Sequence, residues 1–158
     1  MTITAPRNDI HDLLVDFAWR IDHDAGHHVE ELFTPDGVYV LFGLPIEGRE
    51  NIKALYEHRR SRGERTSRHL FDNIRITPGN DDRTIHVRSV LTLHAADGAP
   101  PLPLAPIMIA DYVDTVTRDD DGRWLFARRE TTLVFERRRA STADDSTNDR
   151  RPTPSRAE

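Results

Sequence analysis

The stretch RTSRHLFDNIRI, residues 65–76, sets a histidine, His69, at the opening of a strand-like pattern. A second stretch, RIDHD, places Asp22 directly after Ile21, the last apolar member of a helical stripe. An imidazole that gives one ring nitrogen to a carboxylate has its tautomer fixed, and the other nitrogen becomes a base working near neutral pH. Such a base removes a proton from a carbon acid or an alcohol without metal or cofactor. Asp22 lies at the edge of an inward face, where an unpaired carboxylate is costly, and His69 is a residue type able to partner it. Spacing alone also admits an ordinary structural ion pair at these two positions.

Other constellations are thinner. In DHDAGHH, His23 and His27 stand four apart with Asp24 between them, a spacing that puts two imidazoles on one helix face for a metal. Gly26 interrupts that helix, HExxH is absent, and the run reads as a solvated connection, so no metal is expected. The chain has no cysteine, which excludes disulfides, thiolate nucleophiles and Cys-ligated metal centres. It also has no Gly-rich phosphate loop, no dinucleotide fingerprint and no Gly-x-Ser-x-Gly elbow, and no cofactor is expected. The arginines of ERRRA and DRRP sit among acidic residues in a chain of net charge −5, so nucleic acid is not an expected partner. No run approaches the roughly 18 apolar residues of a membrane span. The opening MTITAPRNDI carries neither a basic nor an apolar targeting region, and a cytoplasmic location is expected.

These residues must be positioned by a fold, and 158 residues suit one core. Ile10, Leu13, Leu14, Phe17, Ala18 and Ile21 follow i, i+3, i+4, i+7, i+8, i+11, one buried helical stripe, with Asn8 or Asp9 as its cap. HHVEELF predicts a second, shorter helix running into a TPDG turn, and GVYVLFG a strand. GRENIKALYEHRRSRG predicts a third helix between glycines. After it the period becomes two, predicting strands over 69–77, 83–95, 107–118 and 124–136, with a proline-rich connection between the second and third. In the 83–95 strand, His86 and His94 share one face with Arg88, Val90 and Thr92, opposite the more apolar Ile85, Val87, Leu91 and Leu93. Residues 140–158 have no apolar period and read as a disordered tail behind a domain at 1–139. The expected class is α+β: a curved antiparallel sheet around a long N-terminal helix, with a pocket between sheet and helices.

The stretches RIDHDAGHHVEELFTPDGVYV, GRENI and RTSRHLFDNIRI, with a closing DGRWLFARRE, resemble the SnoaL-like branch of the nuclear-transport-factor-like superfamily over roughly residues 8–136. The resemblance implies a cone-shaped sheet. Scytalone dehydratase and hexachlorocyclohexane dehydrochlorinase of that superfamily are similar in carrying an Asp at the place of Asp22 and a His at the place of His69. It therefore implies a cofactor-independent lyase or isomerase, with His69 as base and Asp22 orienting it, acting on a small, largely apolar molecule such as a polyketide, terpenoid or aromatic intermediate. Tyrosines of the superfamily often donate to a substrate oxygen, which makes Tyr39, Tyr56, Tyr112 and Trp19 candidate substrate-binding residues, with Phe71 beside the histidine. The alternative for each is core packing. Neither His86 nor His94 matches the dehydratase's second histidine cleanly. Rival functions on the same fold are a ligand-binding or scaffold module and an epoxide hydrolase, the latter needing an Asp–Arg–Asp set such as Asp22, Arg129 and Asp111. A homodimer or higher homo-oligomer is expected.

Overall fold

A computed structural model of the chain describes residues 7–137. Its elements are α1 (Arg7–Asp22), a 3₁₀ turn (Val29–Leu32), β1 (Phe33–Leu41), β2 (Leu44–Glu47), α2 (Arg49–Ser61), β3 (Arg65–Pro78), β4 (Thr84–Asp97), β5 (Met108–Arg118) and β6 (Trp124–Glu136). The strands form one curved open sheet in the order β2-β1-β6-β5-β4-β3, so β3 lies at an edge. The class is α+β, as the periodicity predicts. The wholly antiparallel expectation fails at one seam: β1 runs parallel to β6, and the other pairs are antiparallel.

Four local readings are also corrected. The expected second helix shrinks to the four-residue 3₁₀ turn. The TPDG segment is not a separate turn but part of β1. Phe33 pairs with Phe126 and Val38 with Arg128, so residues 34–37 bulge opposite Ala127 alone. Gly37 permits this close approach, because a Cβ there would stand 2.9 Å from the Phe126 carbonyl oxygen. Finally, Phe42 and Gly43 are not strand but the two-residue turn of a hairpin, both with positive φ (52° and 84°), leading into the unforeseen β2. Helix α1 already runs at Arg7, so Asn8 and Asp9 sit within its first turn rather than capping it. The predicted tail at 140–158 lies outside the described residues.

The core forms where the α1 stripe meets the concave sheet. Ile10, Leu13, Leu14 and Phe17 are buried, and Phe17 packs edge-on against Phe33, Tyr39, Phe71 and Phe126 at centroid distances of 5.9–6.4 Å. Each such pair adds roughly 0.5–1.5 kcal/mol beyond burial. The apolar β4 face, Ile85, Val87, Leu91 and Leu93, is the buried one. His86 is therefore exposed and His94 lies on the same outer side. Among the described residues no helix is long and apolar enough to cross a membrane.

The exit from α1 is fixed by Gly26, which holds φ +78° directly against the Tyr56 ring; a Cβ at this position would come within 2.4 Å of Tyr56 Cδ1. Gly26→Ala meets both a left-handed backbone and a ring it cannot displace cheaply. It is expected to lower stability by roughly 2–4 kcal/mol, the sum of the conformational and overpacking effects. Urea unfolding would check this, and a midpoint unchanged from the native chain would refute it.

Candidate active site

Helix α1 ends at Asp22, and the chain then turns away: the His23 N–H donates to the Trp19 carbonyl at 2.9 Å and the Gly26 N–H to the Arg20 carbonyl at 2.7 Å. This termination points the Asp22 side chain at β3. There it accepts three hydrogen bonds. His69 Nδ1 lies 2.6 Å from Oδ1, the His69 backbone N–H donates to Oδ2 at 2.7 Å, and Ser67 Oγ donates to Oδ1 at 2.6 Å. The Asp22 and His69 side chains are only 5 % and 10 % exposed, so the pair works largely out of water.

Burial alone would raise the Asp22 carboxyl, but the hydrogen bond and charge of His69, the Ser67 hydroxyl and the His69 backbone N–H outweigh it and hold it below its ordinary value. Asp22 is therefore an acceptor only, and Nδ1 of His69 must carry the hydrogen between them. In the neutral form of that ring the lone pair is on Nε2, which makes no hydrogen bond among the described residues. Ser67, unnoticed in the sequence reading, stands two residues before His69 and so shares its strand face. Ser67→Ala removes a bond to a charged group, expected to lower stability by about 1.5–3 kcal/mol at pH 7. Because the bond serves the ionised carboxylate, the loss should shrink below about pH 4, which denaturation at two pH values would reveal.

His69 and Asp22 border a cleft of about 230 Å³ between α1 and edge strand β3. From α1 come two rows at four-residue spacing, Leu14–Ala18–Asp22 and His11–Val15–Trp19, with His23 just past the helix end, and from β3 come Arg68, His69, Phe71 and Ile74. The volume is slightly under the ~300 Å³ at which drug-sized pockets begin, which suits a small guest. Trp19 is 56 % exposed at the rim and stacks on His23 with centroids 4.1 Å apart. Because α1 stops at Asp22, His23 and His27 do not share a helix face as their spacing suggests.

Of the seven residues singled out from sequence, His69, Asp22, Trp19 and Phe71 meet at this cleft. Tyr39, Tyr56 and Tyr112 do not border it. All three are buried in the core, with the Tyr39 and Tyr112 hydroxyls 3.2 Å apart. Burial pushes Tyr39 up to about 12 and raises Tyr56 and Tyr112 further from neutrality, so each hydroxyl stays protonated. The Asp22–Arg129–Asp111 set does not form either. Asp111 faces outward on β5, and fully buried Arg129 donates instead to Asp114, at 2.9 Å. The Arg129 guanidinium lies 4.2–4.9 Å from the ring centres of Phe17, Phe71, Tyr112 and Phe126. Burial pushes the Asp114 carboxyl up to about 7 against the pull of Arg129.

Comparison with known proteins places this arrangement in a setting. A protein of Catenulispora acidiphila, solved in complex with S-DNPA, superposes with a TM-score of 0.70 at 21% identity, over 82% of this chain and 93% of its own. ActVI-ORFA of Streptomyces coelicolor gives 0.71 at 22% identity, over 84% and 98%. A provisionally named scytalone dehydratase of Novosphingobium aromaticivorans gives 0.70 at 22% identity, over 90% and 95%. At these identities the likeness is one of fold. No curated protein matches the chain. Residues 3–130 match the SnoaL-like domain, most of the chain's length, and the protein belongs to that family.

Proposed function

We propose that the protein is a lyase of the dehydratase type, acting on a small, largely apolar β-hydroxy carbonyl compound with His69 as general base. The observation that carries this reading is the 2.6 Å contact between His69 Nδ1 and an ionised, triply hydrogen-bonded Asp22, which leaves Nε2 free beside an apolar-walled cleft. Nε2 takes the proton next to the carbonyl, the freed electron pair forms the C=C bond, and the C–O bond to the hydroxyl breaks. The imidazolium returns its proton to the departing oxygen as water, so the base is restored and no redox partner is needed. Asp22 stabilises the imidazolium between the two transfers. The first transfer is common to elimination and to isomerisation by proton return to carbon. Elimination is preferred because the resemblance at Asp22 and His69 is to eliminating enzymes, and a relative of the same fold bears a dehydratase name.

A panel of β-hydroxy ketones, assayed by the absorbance of the conjugated product, tests the reading with the native chain and His69→Ala. Turnover by the native chain alone supports it. Equal turnover by both would remove it, and ligand binding without turnover by either would favour the binding module.

A further inference from the structure

We infer that the cleft selects an anionic guest: a small, largely apolar molecule bearing a carboxylate, gripped by Arg68 while its reacting carbon lies over His69. This deepens the reading of the cleft as a substrate site and rests on it. The polar lining consists of His11, Asp22, His23, Arg68 and His69. Asp22 is the only carboxylate among them, and both of its oxygens are taken by Ser67 Oγ, His69 Nδ1 and the His69 N–H. Every group left to meet a guest is therefore neutral or positive. Nothing in the bulk composition imposes this, since the chain as a whole carries −5.

Arg68 is exposed, but it borders the cleft and is held there. Its NH1 donates to the Ser67 carbonyl at 2.6 Å, its only hydrogen bond among the described residues, and this folds the guanidinium back along β3. The Nε–NH2 edge remains for a planar acceptor, the fork geometry that fits a carboxylate with two parallel hydrogen bonds. Arg68 and His69 are neighbours in a strand, so their side chains leave on opposite sides of the backbone. The carboxylate and the reacting carbon must then be separate parts of the guest. The acid group acts as a remote handle that orients the molecule and survives in the product.

Calorimetric titration of the full chain with 2-naphthoate and with 2-naphthamide, its neutral counterpart of like shape, tests this. The native protein should bind the acid at least about tenfold more tightly, and the preference should weaken with salt. Arg68→Met, an exposed position, should lose that factor for the acid and leave amide binding as it was. His69→Ala should keep the preference, so a failure of the elimination chemistry would leave this result standing and the two can be told apart. Equal affinity of the native chain for both ligands, no binding of either at millimolar concentration, or an undiminished preference in Arg68→Met would each overturn the inference.

Discussion

Replacing Asp22 with Asn is expected to lower turnover by about 10²–10⁴-fold while the chain remains folded, the range that general base catalysis contributes. Asp22 accepts from three donors with two oxygens, and an amide can offer only one oxygen. If the new NH2 faces His69 Nδ1, the ring must take the opposite tautomer, which protonates Nε2 and blocks the base. If it faces the His69 backbone N–H, two donors collide and the ring loses its anchor. Either way the imidazolium loses the negative charge that stabilises it. His69→Ala removes the base itself and should cost at least as much. Because its partners hold Asp22 below the usual carboxylate value, the native protein gains stability that is complete above about pH 4 and lost as the pH falls through the folded value. The Asn variant should lack this acid dependence. Turnover within threefold of native in either variant would end the mechanism.

The second large effect concerns the interior. Arg129→Met is expected to destabilise the fold by about 3–5 kcal/mol at pH 8, since it strands the Asp114 carboxylate where no water reaches. The effect should shrink on acidification, because Asp114 escapes by taking a proton. Burial already pushes its carboxyl up to about 7 in the native chain, above the unfolded value of 3.8. The native state therefore holds that proton more tightly than the unfolded chain, and this group's contribution falls as pH rises between those values. Asp114→Ala behaves differently. It strands a guanidinium that cannot deprotonate, so its penalty persists at pH 5, moderated by the four surrounding rings. The double variant Arg129→Met with Asp114→Leu should recover most of the loss, as apolar replacements of whole buried pairs do. Denaturation at pH 5 and 8 separates these outcomes; a pH-independent penalty for Arg129→Met would contradict the account.

How much of this was legible in the sequence depends on the range of the forces involved. The α1 stripe, α2 and the four long strands were readable because burial imposes a period within each segment, and the ends of β6 match the expectation to the residue. Strand β2 was not, because four residues containing Pro45 show no period and owe their pairing to the positive-φ turn at Phe42–Gly43. The parallel seam between β1 and β6 joins residues about ninety positions apart, and nothing local records it. At the site, the contact of Asp22 with His69 was anticipated from their types and resemblance, whereas Ser67 lay outside the strand expected over 69–77 and joins the His69 face only because β3 begins at Arg65. Arg129 was weighed with Asp111 and meets Asp114, which stands directly opposite it in the β5–β6 register, whereas Asp111 lies on the outer face of β5. The tyrosines were drawn toward function by analogy, and the core claimed them.

The edge position of β3 gives the Asp22 carboxylate a second duty. One of its oxygens receives the His69 backbone N–H, a group that on an outermost strand would otherwise be open to pairing with a foreign chain. The residue that holds the imidazole thus also occupies one backbone donor along that rim. An acid at position 22 has this backbone to satisfy whether or not the cleft is catalytic, so an Asp at that place in a relative does not by itself mark that relative as an enzyme.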